Sequence, residues 1–248
     1  MKTIKIAALC AGALLWAGCS DRGNVDRKLS GALADAKQGK WEEAAQQAAA
    51  VAAVAPRSVA PLLLQALAYE QAGEFDKALD LARRCAEMAP EDFTVQYTFG
   101  RLSAADPMRR SEAFVILENA LRLRPGDRNT LILLCNLGAA LDSPQLATYL
   151  DQLRSDRETA ATARFCFQYG LLRARQGNRG QALVFLQQAV RRDSRDPDLI
   201  LNAARCLDRY RISPAHAVNM YRLYLRHPGA ADPLKIREAE ARIAGLRR

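Results

Sequence analysis

Two histidines and six cysteines are the residues of this 248-residue chain best suited to nucleophilic, acid–base or metal chemistry. His216 stands in SPAHAV and His227 in RHPG, and neither has a nucleophile or a second ligand at a useful spacing. The cysteines show no CxxC pair, and Gly126 and the other turn glycines are isolated, so no glycine run could cradle a phosphate. The carboxylate pairs Glu42–Glu43 and Glu91–Asp92 suit helix starts, where negative charge favours the macrodipole. This pattern argues against an enzyme, and neither a cofactor nor a metal site is expected. The residue that stands out is Cys19, preceded by the small residues Ala17 and Gly18 at the end of an apolar run.

That run begins after Lys2 and Lys5 and covers residues 6–18, thirteen positions. A spanning helix needs about 20 apolar residues, so a transmembrane anchor is the weaker reading. The end of the run, LLWAGCSD, resembles a bacterial lipoprotein signal, with Trp16 where such signals usually carry Leu and Leu15 one place earlier. The resemblance implies cleavage before Cys19, a diacylglyceryl group on its thiol and acylation of the new amine. Three acyl chains would hold the protein stably at a membrane. Ser20 fits sorting to the outer membrane where aspartate is the retention signal, since Asp21 comes one place too late. Residues 1–18 are thus expected to be a signal peptide, and residues 19–28 a lipidated cysteine with a polar tether.

The elements behind Cys19 are helical by composition: alanine and leucine abound, while aromatic and β-branched residues are sparse. They also recur. Ala44, Ala78, Ala113, Ala147, Ala182 and Ala217 follow one another at intervals of 34 or 35 residues. Gly39, Gly73 and Gly177 precede their alanine by five residues, and Pro56, Pro90 and Pro125 follow theirs by twelve. Ser143-Pro144 and Ser213-Pro214 offer an N-cap and first-turn proline before Ala147 and Ala217. Two helices joined by a tight turn approach closely only where the contact residue is small, because a larger one overpacks the contact. Ala66, Gly100, Gly170 and Ala204 supply the matching seat on the preceding helices, and Trp41 and Phe75 would plug the space beside the turn.

This pattern resembles the tetratricopeptide repeat, a 34-residue helix pair with small seats, an aromatic near the turn and a late proline. Residues 59–92 match it best. The fifth repeat has Arg179 in the aromatic place, and the fourth has a short turn. The resemblance implies an all-α, right-handed α-solenoid of about six helix pairs over residues 29–229, and residues 230–248 form a C-terminal capping helix. It also implies a concave groove lined by the first helices. Helical spacing turns Leu63, Leu67, Tyr97, Arg101, Asn136, Arg164, Phe167 and Arg205 toward that groove, although the three apolar residues would serve equally as core. The anchor and the repeats together are similar to outer-membrane lipoproteins of pilus and secretion assembly. The expected protein is therefore a periplasm-facing scaffold for other envelope proteins.

Charge is uneven. Residues 19–153 hold 15 basic and 18 acidic side chains, whereas residues 154–248 hold 19 basic and 9 acidic, with arginine supplying 18 of the 19. A basic C-terminal half could dock an acidic protein or an anionic glycan. An export signal argues against nucleic acid. Cys85, Cys135, Cys166 and Cys206 lie in apolar helical segments, and buried free thiols are expected. Cys135 with Cys166 is the one pairing worth testing.

Overall fold

The computed structural model describes residues 22–246, with side chains from residue 27; Cys19 and the expected signal peptide lie outside these residues. The described residues are helical throughout, without strands, and divide into two compact units at Asp142. Unit 1 contains α1 (Arg22–Lys37), α2 (Trp41–Val54), α3 (Val59–Gln71), α4 (Phe75–Met88), α5 (Phe93–Ser103), α6 (Arg110–Leu123) and α7 (Arg128–Ala140). Unit 2 contains α8 (Leu146–Leu153), α9 (Arg157–Ala160), α10 (Ala163–Arg175), α11 (Arg179–Arg192), α12 (Pro197–Arg209), α13 (Pro214–Leu225) and α14 (Pro233–Leu246).

Each unit is built of antiparallel helix pairs, chiefly α1–α2, α3–α4 and α5–α6 in unit 1, and α10–α11 and α12–α13 in unit 2. First and second helices begin in different ways. Most first helices start on a side-chain cap that satisfies orphan backbone donors. Asp92 accepts from Thr94 and Val95, Asp127 from Thr130, Thr162 from Phe165, and Asp196 from Asp198 and Leu199. Most second helices follow a left-handed turn residue: Gly39 (φ 82°), Gly73 (φ 79°), Gly177 (φ 75°), and also Asp142 (φ 58°) and Arg211 (φ 48°). Asp142 lies five residues before Ala147, so it occupies the place that glycine holds elsewhere. At Gly39, Gly73, Gly177 and Arg211 the next N–H donates to the carbonyl five residues back, as in Lys40 to Asp35, and this closes the preceding helix. The prolines act as stops: α2, α4 and α6 end two residues before Pro56, Pro90 and Pro125.

Ala44, Ala78, Ala113, Ala182 and Ala217 are fully buried. Ala66 and Ala204 are buried too, and the missing side chains of Gly100 and Gly170 admit Leu117 and Leu186. Ala147 is different, being half-exposed. Helix α8 starts at Leu146 and not at Pro144, and Leu146, Tyr149, Leu150 and Leu153 take its buried stripe. The hydroxyl of Ser143 accepts from the Gln145 N–H at 3.3 Å within the turn, so it does not cap the helix as its sequence suggested. Phe75 is likewise no plug. It is 57% exposed, whereas Trp41 is half-buried and packs against the core cluster to which Ala32, Ala36 and Ala44 belong.

Both ends of the described residues are helical. Helix α1 already begins at Arg22, inside the expected tether, and carries Leu29, Ala32, Leu33 and Ala36 at helical spacing. Helix α14 begins at Pro233, with Asp232 accepting from Leu234 N–H at 2.9 Å, and it packs on α13. Ala239 is buried, with Ile236 and Ile243 partly buried beside it, but Leu234 is exposed.

Candidate functional site

In unit 1 the first helices α3 and α5 are where a partner-binding face is expected. Helix α3 is buried at residues 60–64 and 66–68, nearly all round, because α2, α4 and other neighbours enclose it. Leu63 (2% exposed) and Leu67 (6%) therefore belong to the core and have little surface to offer a ligand. Tyr97 is half-buried and stacks on Phe93, with centroids 5.8 Å apart, and the Arg124 guanidinium lies 3.8 Å from the Phe93 centroid. Burial raises the Tyr97 phenol above its ordinary range, with the Arg101 charge opposing the shift. Arg101 is held by both terminal guanidinium nitrogens on the Glu70 carboxylate, with Nη2 donating to Oε2 at 2.6 Å. Asn136, on α7, is half-buried.

In unit 2, Arg164 is exposed at the start of α10, and Phe167 packs partly on the core formed with α12 and α13. Arg205 repeats the arrangement of Arg101, with its carboxylate on a later helix and not an earlier one. Its Nε donates to Glu238 Oε1 at 2.8 Å, and Nη2 donates to Oε2. The hydrogen bond from Arg205 lowers the Glu238 carboxyl below its usual range. Two more pairs join α12 to α14, Lys235 with Asp198 at 2.6 Å and Arg242 with the buried Asp208 at 2.5 Å. The Asp208 carboxylate also accepts from Tyr221 at 3.3 Å, and burial foremost holds that phenol up at about 12. Arg101 and Arg205, two of the three arginines expected in the groove, are thus engaged by carboxylates 31 and 33 residues away. Helical spacing within one element could not reveal these partners. A carboxylate about one repeat length from an arginine, on the same face of a first helix, was the signal available.

Residues 61–92 match the tetratricopeptide repeat family model. No curated protein matches the sequence. Among solved structures, YrrB, a tetratricopeptide repeat protein with an unusual peptide-binding site, is 21% identical with a TM-score of 0.65, covering 79% of this chain and 99% of YrrB. PilF of Pseudomonas aeruginosa is 17% identical with a TM-score of 0.64, covering 90% of this chain and 99% of PilF. MamA is 16% identical at 0.56, over 66% and 94% of the two chains. The fold is that of tetratricopeptide solenoids.

His216 Nδ1 lies 2.8 Å from the Ser213 hydroxyl at the start of α13, and His227 Nδ1 accepts from Gly229 N–H at 3.0 Å. Among the described residues no group of three His, Cys, Asp or Glu is placed to hold a metal ion. Cys85, Cys135, Cys166 and Cys206 are free and buried. Burial pushes the Cys135 thiol up to about 12, and Cys85 and Cys206 to about 11. Burial also raises Cys166, although Arg192 beside its sulfur acts against the shift. Alkylation needs both thiolate and access. Iodoacetamide near pH 8 is therefore expected to leave all four unmodified in the native chain and to modify them after guanidinium denaturation. Mass spectrometry of the peptides reads the difference, and rapid native alkylation of Cys135 would contradict its burial.

Proposed function

We propose that the protein is a lipid-anchored, periplasm-facing scaffold that holds other envelope proteins together during assembly of a pilus, secretion or outer-membrane complex. A scaffold for protein partners is what the tetratricopeptide fold suggests, since a repeat stack offers much surface and needs no catalytic group. The observation that carries the finer reading is the LLWAGCS segment directly ahead of the helix pairs. Acylation of Cys19 would anchor the chain at the outer membrane and leave both units in the periplasm. Likeness to PilF over 90% of this chain supports the pilus branch by analogy of fold.

Two experiments test this reading. Cys19→Ala is expected to abolish fatty-acid labelling and to move the protein from the membrane to the soluble fraction; continued membrane attachment of that variant would remove the anchor from the proposal. Crosslinking in intact cells is expected to recover envelope proteins. The surface of unit 2 favours a second reading. Arg154, Arg157, Arg164, Arg179 and Arg191 are all exposed there, and such arginines could hold an anionic glycan or cell-wall polymer. Recovery of glycan without protein, with binding that weakens steeply as salt rises, selects that reading.

A further inference from the structure

The last helix is held differently from its neighbour. Ala239 is the one buried residue of α14, whereas α13 buries five. Ile236 and Ile243 reach the same core only partly. Charge joins α14 to α12. On α12 the residues Asp198, Arg205 and Asp208 read acid, base, acid, and opposite them on α14 Lys235, Glu238 and Arg242 read base, acid, base. Steps of three, four and seven residues separate them, so each set lies along one face of its helix. The pairs follow the same order on both helices, and α14 therefore runs parallel to α12.

The three pairs differ in exposure. Both members of Lys235–Asp198 and of Arg205–Glu238 are at least one third exposed, and exposed pairs are held only weakly against water. Asp208 is different. Its side chain is 6% exposed, and it accepts from Tyr221 and Arg242. A buried carboxylate stripped of its cation is strongly unfavourable. The surface under α14 thus gives up its occupant readily only to a chain that supplies another cation at Asp208.

We infer that the face of α12 and α13 is a docking site for a helix of a partner protein, and that α14 is its resident, displaceable occupant. The seated α14 shows what the partner must carry. It needs a cation, an anion three places on and a second cation four places further, to meet Asp198, Arg205 and Asp208. Directly after the anion it needs a residue as small as Ala239, which is fully buried. Being tethered, α14 competes at an effective concentration on the order of millimolar. A partner helix therefore enters where it meets the three charges better than α14 does, or where α14 is weakened. The inference rests on the scaffold reading for the class of partner, and it does not depend on the lipid anchor.

The test uses the full chain and synthetic, fluorescein-labelled peptides of residues 230–246, with anisotropy as the readout. In one chain variant, Lys235→Glu with Glu238→Lys turns the two exposed pairs into like-charge contacts and leaves α12, α13 and Arg242 untouched. That variant is expected to bind the natural peptide at least about tenfold more tightly than the unaltered chain does. A peptide carrying the same two exchanges is expected to bind the variant at least about tenfold more weakly than the natural peptide, and so is a peptide with Arg242→Ala. Lys235→Ala in the chain, which removes a single exposed pair, is expected to give a smaller gain with the helical circular dichroism unchanged. No tighter binding to either chain variant, or equal binding of the three peptides, overturns the proposal and leaves α14 a fixed cap. So does a chain that sediments as a dimer and is dissociated by Lys235→Glu with Glu238→Lys, because α14 of a second copy would then be the occupant. Crosslinking in cells and release of the Cys19→Ala variant are read separately, so failure of either idea leaves the other standing.

Discussion

Gly100→Leu is expected to destabilise unit 1 by about 3 kcal/mol, seen as a lower urea midpoint with little change in slope. Even a methyl group at this position would lie 2.7 Å from Leu117 Cγ and 2.9 Å from Cδ2, with Ile116 Cγ2 at 3.2 Å. Leu117 is fully buried and cannot swing outward. Replacing glycine within a helix ordinarily gains ~0.5–1 kcal/mol, so the measured loss is what remains after that gain. Gly180 provides the contrast, since it sits in α11 and a methyl group added there would meet nothing within 4 Å. Gly180→Ala is expected to stabilise by about 0.5–1 kcal/mol. Equal effects at the two glycines would show that α5 and α6 do not meet as closely as described.

Removing Glu70 has the second large expected effect. Both side chains of the Glu70–Arg101 pair are less than one fifth exposed. Exposed ion pairs are worth ~0–1 kcal/mol, whereas removing one partner of a fully buried pair costs ~3–5 kcal/mol. Glu70→Ala should fall between these, at about 2 kcal/mol, because the guanidinium loses its acceptors beside the half-buried Tyr97. The double variant Glu70→Leu with Arg101→Leu is expected to recover most of that loss, since no unpaired charge remains. A double-mutant cycle by urea denaturation measures the coupling. Coupling near zero would mean that the pair adds nothing to holding α3 against α5.

The repeat was legible because close helix approach leaves few choices of residue. Five of the six alanines and all four upstream seats are buried as steric reasoning requires. Ala147 escaped the pattern because Leu146, Tyr149 and Leu150 form a stronger apolar stripe, and the helix takes its phase from them. The candidate binding face was much less legible. Helical spacing finds which side of α3 is apolar, but not that neighbours enclose the helix on the other sides, and so it leaves Leu63 and Leu67 open between groove and core, where their burial puts them in the core. Arg101 and Arg205 do lie on first helices, yet their carboxylates come from adjacent elements and become visible only when those elements stack. Phe75 misleads for a different reason. Its place beside the turn fits the repeat pattern, but a side chain there can leave the interhelical space without costing the core.

The ion pairs between like helices also label the repeats. By their alanines alone the helix pairs would be nearly interchangeable, and chains of that kind can mispair while folding. Glu70 opposite Arg101, and Arg205 opposite Glu238, give individual helices a sign that their neighbours must match. A misfolded arrangement that set α5 against α12 would bring two guanidinium groups together and lose two carboxylate partners. Each of these helices thus carries an address, and the address reads correctly only beside the intended neighbour.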